Sequence, residues 1–385
     1  MKVTSAARHF AISCPTAVHF GTGRSADLPD LLGPGSARIL FVQGGSGRAA
    51  APVLATLRRA GYDITVISCG GEPGIGDVNA ALAGLDPPTH VIACGGGAVL
   101  DMGKALAALA EHGLTLPEDF ADLPPLPARR DISLIALPTT AGTGAEVTAN
   151  AVIDVPAKGA KISLRGAALI PDIAVVDPAL AQSAPASVTL ASGLDAVTQV
   201  IESYTSNAAT PFTTALCGPA IPLGLRALRG VVDAADDPTA WEDMCWTSLS
   251  SGLALANSGL GAAHGLASVL GARLGAPHGA LCGRLLVPTL RTNLAHADAV
   301  PEVRDRIRYC IAAIDAAFPP AAGMGPLSGF EQWMNDRGLP RLSAHGLALG
   351  HIEDLAAQGS AASSSRKNAV PLPAEGYVAI LSDAF

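Results

Sequence analysis

The sequence predicts an α/β domain built on a doubly wound parallel sheet, followed by an all-helical domain. Three observations carry this. The chain has 385 residues, more than one hydrophobic core usually supports, so two domains are expected. Its first half alternates short apolar runs with stretches of helical spacing, joined by short links. From about residue 183 that alternation stops and helical periodicity takes over.

In order, ARILFVQG (37–44) is a buried-strand pattern ending in glycine, and GRAAAPVLATLRRAG (47–61) follows with helical spacing. DITVISCGG (63–71) is a second strand and DVNAALAGL (77–85) a helix. HVIACGGG (90–97) is a third strand ending in three glycines, before the helix AVLDMGKALAALAEHG (98–113). DISLIALPTTAGTG (131–144) is a fourth strand running into a Gly/Thr turn. A last strand gives way to a Pro/Ala/Ser linker within IAVVDPALAQSAPAS (173–187). Helices are then expected at 187–205, 212–230, 239–256, 260–271, 279–295, 301–318, 326–337 and 350–360, while the polar SAASSSRKN (360–368) has no assigned place. The domains are therefore expected at 1–182 and 183–385.

Apolar residues make up 49% and charged residues 15%, which describes a well-buried globular chain and excludes a disordered one. A net charge of −8 without a Lys/Arg run argues against nucleic acid as the main partner. The seven cysteines are scattered with no C-x-x-C, as expected of reduced thiols in a cytoplasm. The N-terminus lacks a signal-peptide core, and apolar runs are broken short of a membrane span. The expectation is a soluble, cytoplasmic protein without a membrane partner, assembled as a homodimer.

Gly95, Gly96 and Gly97 stand at a strand-to-helix junction, where glycine permits positive φ and lets backbone N–H groups approach a phosphate. Lys104 is not a P-loop lysine, because the spacing fails and Ala105 stands where a hydroxyl is needed. Gly45-Ser46-Gly47-Arg48-Ala49-Ala50 matches G-x-G-x-x-[GA] after a strand, which is Rossmann-like. The match is partial, since the next strand ends in Ser68-Cys69-Gly70-Gly71 without an acidic residue. Pro138 to Gly144 is a second polar turn, whose threonines suit ribose or pyrophosphate, or simply a turn.

In the second half, Asp195, His264 and His278 are one carboxylate and two imidazoles in Gly/Ala-rich settings, a usual ligand set for zinc or iron. Asp195 and Gln199 are four apart and share a helical face. Taken singly, each has a plainer reading: a capping or solvated Asp, a core histidine, a loop histidine.

GGGAVLDMGKALA, ALPTTAGTGAEVT, LIPDIAVVDPAL, SGLDAVTQVIESYTS and ANSGLGAAHGLASVLGARLGAPHGALCGRLLVP resemble, in order, motifs of the iron-containing alcohol dehydrogenase family, and HFGTGRSADLPDLL resembles its opening. The resemblance weakens after about residue 320. It implies a dinucleotide-binding α/β domain and an all-helical metal domain, a dehydroquinate synthase-like fold with the site in the cleft between them. It implies that Gly95, Gly96, Gly97, Thr139, Thr140 and Thr143 line the NAD or NADP site, with Asp101 and Lys161 near the nicotinamide and its ribose. It also implies metal ligands Asp195, Gln199, His264 and His278, with Fe2+ the expected ion and Zn2+ the other choice.

Three positions depart from the family pattern. Gln199 stands where alcohol dehydrogenases of the family usually have His, although glycerol dehydrogenases manage with one Asp and two His. Ser268 replaces a second His that commonly follows His264, which removes or reroutes a proton relay. Gly44 replaces the Asp that repels a 2′-phosphate in many NAD-preferring members, and Ser46 and Arg48 follow it, so Gly44, Ser46 and Arg48 are candidates for cofactor choice.

The expected activity is reversible hydride transfer between a nicotinamide and a small alcohol, aldehyde or ketone, with the cation polarising the substrate oxygen and Asp195, His264 and His278 as its catalytic ligands. The rivals are a maleylacetate reductase-like enzyme, a dehydroquinate synthase-like non-redox cyclase, and a site-impaired homologue kept for binding. The stretch 240–290 offers the cyclase only Arg273 and Arg284 for a phosphorylated sugar acid.

Overall fold

The computed structural model describes residues 9–33, 37–118, 120, 122, 123, 125, 126, 128–158 and 160–385. The chain divides into two compact units, Ser13–Pro185 and Ala186–Phe385, and the described residues before Ser13 group with the second.

The first unit runs β1 (Ala17–Phe20), α1 (Leu28–Leu32), β2 (Arg38–Gly44), α2 (Ala51–Arg59), β3 (Asp63–Cys69), α3 (Ile75–Leu82), β4 (His90–Gly95), α4 (Gly97–Ala110), β5 (Ser133–Pro138), β6 (Asn150–Val155), β7 (Ala160–Arg165), β8 (Ile173–Val176) and α5 (Pro178–Ala181). Six strands form one all-parallel sheet in the order β1-β8-β5-β4-β2-β3, and β6 and β7 form an antiparallel hairpin. The central strands are apolar at successive positions because both faces are covered. Leu40 and Val42 pack with α4 on one face, while Ile39 and Phe41 pack with Val53 and Leu57 of α2 on the other. This is the expected doubly wound sheet. Its order reverses between β2 and β4, which places the ligand-binding crevice of such a sheet beyond Gly44 and Gly95.

β1 and the β6–β7 hairpin were not expected. β1 has four residues, too few for a periodic signal, and it is ordered by pairing with β8.

The second unit contains α6 (Ala186–Thr205), α7 (Pro211–Asp233), α8 (Pro238–Ser258), α9 (Ala262–Leu274), α10 (His278–Ala295), α11 (Pro301–Ala317), α12 (Ser328–Asp336), α13 (Ile352–Ala361) and α14 (Ala374–Ala384). No strand follows β8 among the described residues. Pro211 and Pro238 open their helices behind Thr210 and Asp237, whose side chains accept from the first turn. α7 is, against expectation, long and apolar enough to cross a membrane by length and composition. It packs against α6 and α8 with Cys217, Ile221, Leu225 and Leu228 buried, the pattern of a core helix.

α14 was not anticipated, and 360–368, polar in sequence, is partly buried. Asn368 and Asn293 exchange amide hydrogen bonds of 2.7 and 3.2 Å, and Asn368 Oδ1 also accepts from the Ala262 amide at 3.1 Å. These long-range bonds fix a segment that has no periodicity of its own.

Candidate metal centre and nucleotide-binding turns

The candidate nucleotide-binding turns lie at the ends of β2, β4 and β5. The Gly95-to-Gly97 turn and the threonine turn lie against each other: the Thr139 amide donates to Gly95 O at 2.9 Å, and a Cβ on Gly97 would sit 2.9 Å from Thr143 Cγ2. A Cβ on Gly96 would lie 3.5 Å from Thr140, and one on Gly95 would lie 2.5 Å from the Cβ of Val99. The expectation of positive φ at this triplet is corrected. None of Gly95, Gly96 or Gly97 is in the left-handed region, and Gly96 has φ −72°. Glycine serves here for close approach of α4 to its strand and neighbouring turn. Val99 and Leu100 donate to Gly96 O, so the Gly97 and Ala98 amides precede the helix's own bonds, as anion-binding donors do.

In the Gly45-to-Ala50 stretch only Gly47 has positive φ, +62°. The chain turns through 48–50 before α2 starts at Ala51, so the helix does not begin on the glycines as in a full Rossmann fingerprint. Ser46 Oγ accepts from the Arg48 amide at 3.4 Å, and the Arg48 guanidinium donates to Ser183 O at 3.2 Å. Gly44 is not forced by packing, since a Cβ there would meet only Val99, at 4.0 Å.

Asp101 and Lys104 lie on α4 and tie it to the start of the hairpin. Asp101 Oδ2 accepts from the Val152 amide at 3.0 Å, and Lys104 Nζ donates to Thr148 Oγ1 and Asn150 O, both at 2.9 Å. Lys161, on β7, is ion-paired with Glu72. Beside Lys104 lies Glu146, 1% exposed, whose Oε2 has no hydrogen-bond partner. Burial pushes the Glu146 carboxyl up to about 7 and the Asp101 carboxyl to about 6, and pushes the Lys104 amine down to about 8.

The raised Glu146 carboxyl makes stability depend on pH. A carboxyl raised on folding contributes stability that is full below its unfolded value, ordinarily 4.5 for Glu, and lost as pH rises through about 7. Glu146→Gln removes that loss. Between pH 5 and 7.5 the variant should forfeit about 1–3 kcal/mol less than the wild type. Parallel melting curves across that range would contradict the burial argument.

The metal side is built on α6, α9 and α10. Asp195 and Gln199 share one face of α6, and Glu202, one turn further, continues it. Gly279 and Gly283 bring α10 onto α6: a Cβ on Gly279 would fall 2.2 Å from Ala191 O, and one on Gly283 would fall 2.7 Å from Leu194. That approach sets His278, at the first position of α10, beside Asp195. The kinked junction of α8 and α9 delivers His264. One donor atom from each of Asp195, His264, His278 and Cys282 lies within 4.8 Å of the others. Asp195, His264 and Cys282 are buried, and His278 is half-buried.

Glu202, not singled out from the sequence, organises His264. Its carboxylate accepts the backbone N–H groups of Gly261 (3.0 Å), Ala263 (2.7 Å) and His264 (3.4 Å), and it meets His264 Nδ1 at 2.7 Å. Surrounded by donors, Glu202 acts as an acceptor, so Nδ1 carries the proton and Nε2 presents its lone pair. That Nε2 faces Asp195 Oδ1 at 3.2 Å. Two acceptors at this distance require a positive charge between them, a cation or a proton. Burial alone would push His264 down, but Cys282, Asp195 and Glu202 carry it well above the usual imidazole range. Burial likewise would raise Asp195, but its hydrogen bond to His264 and the charges of His278 and His264 hold it below the usual carboxylate range. The donor set thus fits a divalent metal.

The spacing carried signals for both missed residues: Glu202 is seven after Asp195 on one helix face, and Cys282 is four after His278. Gln199 is also buried, and its Oε1 accepts from Ser251 Oγ at 3.3 Å. Ser268 is exposed and its hydroxyl donates to Gly265 O at 2.8 Å.

Comparison with known proteins agrees with this geometry. Residues 15–178 match the family model for iron-containing alcohol dehydrogenase, and 189–385 match the C-terminal model of the Fe-containing alcohol dehydrogenase family. A probable alcohol dehydrogenase, EutG, of Escherichia coli (strain K12) is 40% identical over 65% of this chain. The match spans 65% of that relative and 61% of its Salmonella typhimurium counterpart, so the chain spans less than two thirds of either. A 1,3-propanediol dehydrogenase of Klebsiella pneumoniae is 31% identical over 81% of each chain. The crystal structure of a 1,3-propanediol oxidoreductase superposes with a TM-score of 0.81 at 26% identity, covering 98% of this chain and all of that one. A doubly wound nucleotide-type sheet, a carboxylate–bis-imidazole centre on helices and matches across both units have one reading: the chain belongs to the iron-containing alcohol dehydrogenase family.

Proposed function

We propose that the protein is a metal-dependent oxidoreductase that exchanges hydride between NAD or NADP and a small alcohol or its carbonyl counterpart. The observation that carries this is the buried meeting of Asp195, His264 and His278, with Glu202 fixing the histidine tautomer, in a member of this family. In this reading residues 1–182 serve the cofactor and 183–385 the metal and substrate.

When bound, a divalent cation, Fe2+ or Zn2+, supplies Lewis acidity to the substrate oxygen and the nicotinamide supplies hydride exchange. Asp195 provides the negative charge that holds the cation, and His264 and His278 provide neutral donors. Glu202 keeps the His264 proton on Nδ1. The buried setting limits competing water. On the nucleotide side, Gly95, Gly96, Gly97, Thr139, Thr140 and Thr143 line the crevice at the sheet's switch point, with Asp101 and Lys161 toward the nicotinamide end.

The cyclase reading loses support because Arg284 is buried and spent on the carbonyls of Leu339 and Pro340 and on Asn335. The impaired-homologue reading loses support because four donor atoms are already gathered. A cytoplasmic location is supported by seven cysteines outside any disulfide, five of them buried. A homodimer remains part of the proposal and is checked by light scattering. The direct test is metal analysis of purified protein with absorbance assays over alcohols and aldehydes and both nicotinamides. Stoichiometric metal without turnover of any of them would refute the redox assignment.

Cofactor choice is predicted from Gly44, Ser46 and Arg48. Gly44 offers no carboxylate to repel a 2′-phosphate, and Arg48, whose guanidinium donates to Ser183 O at 3.2 Å, is the cation proposed to pair with one. NADP should therefore be used at least as well as NAD. Gly44→Asp, which packing permits, should depress kcat/KM for NADP at least ~10-fold more than for NAD, the effect of about 1.4 kcal/mol of repulsion. A strong wild-type preference for NAD, unaltered by Arg48→Ala, would show that these residues do not read the phosphate.

A further inference from the structure

We propose that Cys282 is a thiolate ligand of the metal, completing an Asp195–His264–His278–Cys282 set. The inference rests on the metal reading above and extends it to a residue outside the expected ligands. Cys282 lies one turn along α10 from His278, on the same face and fully buried. Its Sγ is 3.5 Å from His278 Nε2. With Zn–S near 2.3 Å and Zn–N near 2.05 Å, a tetrahedral site has an S···N edge of about 3.5 Å. With Zn–O near 2.1 Å its N···O edge is about 3.4 Å, against 3.2 Å for His264 Nε2 to Asp195 Oδ1. Both short edges therefore have the dimensions of one tetrahedron, and the remaining donor separations stay within 4.8 Å.

Gln199, the alternative fourth ligand, is a neutral amide whose oxygen already accepts from Ser251. A thiolate is the stronger donor, and it shifts the site toward softer, tetrahedral ions such as zinc. The packing that makes this possible is the G-x-x-x-G of Gly279 and Gly283, which holds this face of α10 against α6.

The test is cobalt substitution of the full-length protein, read by absorbance. Wild-type protein with one Co2+ per chain should show a thiolate-to-cobalt charge-transfer band in the near ultraviolet. Cys282→Ser and Cys282→Ala should lose that band, still bind Co2+ through Asp195, His264 and His278, and bind it about 10–100-fold more weakly. Gln199→Ala should retain the band. Stoichiometric Co2+ without the band, or a band that survives in both Cys282 variants, would overturn the thiolate assignment and leave the metal centre standing. Failure of the wild type to bind Co2+ or Zn2+ at all would overturn both. Circular dichroism melting of each variant separates ligand loss from misfolding.

Discussion

Replacing His264 by alanine is expected to weaken divalent-metal binding sharply and to lower turnover by at least ~10³-fold, the equivalent of about 4 kcal/mol of lost Lewis-acid stabilisation. The imidazole is the donor whose orientation is most tightly determined, since Glu202 holds Nδ1 and leaves Nε2 toward Asp195. The fold should survive, because Glu202 keeps the backbone N–H groups of Gly261 and Ala263 as donors when the ring is gone. Metal content by mass spectrometry and kcat with the best substrate are the measurements. A metal-free His264→Ala protein that turns over at the wild-type rate would end the Lewis-acid mechanism.

Gly279→Ala is expected to be among the most damaging single-methyl changes in the helical unit. The added Cβ would fall 2.2 Å from Ala191 O and 3.0 Å from Asp195 Cβ, and the first of these is backbone that cannot swing away. α10 must then move off α6, which separates His278 and Cys282 from Asp195. The expected cost is about 3 kcal/mol of overpacking, a fall in Tm of about 5–10 °C, and a 10-fold or greater loss of metal affinity. Gly76→Ala is the contrast: it lies in α3, nothing stands within 4 Å of the new Cβ, and the change should be neutral or slightly stabilising. If Gly279→Ala melts within ~2 °C of wild type with full metal, α6 and α10 are not held by this contact.

The elements legible in the sequence were those with a local signal. β2, β3, β4, β5 and β8 and the helices α6 to α13 follow from runs of apolar residues with the right period, bounded by Gly, Pro and capping residues. β1 was missed because it has only four residues and is ordered by β8, distant in sequence; the β6–β7 hairpin and α14 were missed although their elements are as long as others that were read, such as β4, β5 and α12. The buried amide pair of Asn293 and Asn368 shows the limit most clearly. Each residue reads as surface polar by composition, and its burial is satisfied by hydrogen bonds to the other and, for Asn368, to Ala262 and Val370.

The sequence by itself determined the two-part α/β and helical plan, the glycine turns at strand ends, and the residue types Asp195, His264 and His278. It also placed Gln199 and Glu202 on the same helix as Asp195, because helical period is local. Only the tertiary structure decided that the glycine triplet serves close packing rather than positive φ, that β2 and β4 flank the switch point, that Glu202 lies against His264, and that Cys282 Sγ lies within 4.8 Å of the donor atoms of Asp195, His264 and His278. The physical reason is distance along the chain. Periodicity reports which face of an element is buried. Hydrogen bonds and donor contacts between residues far apart in sequence, such as Glu202 with His264, exist only once the helices have packed.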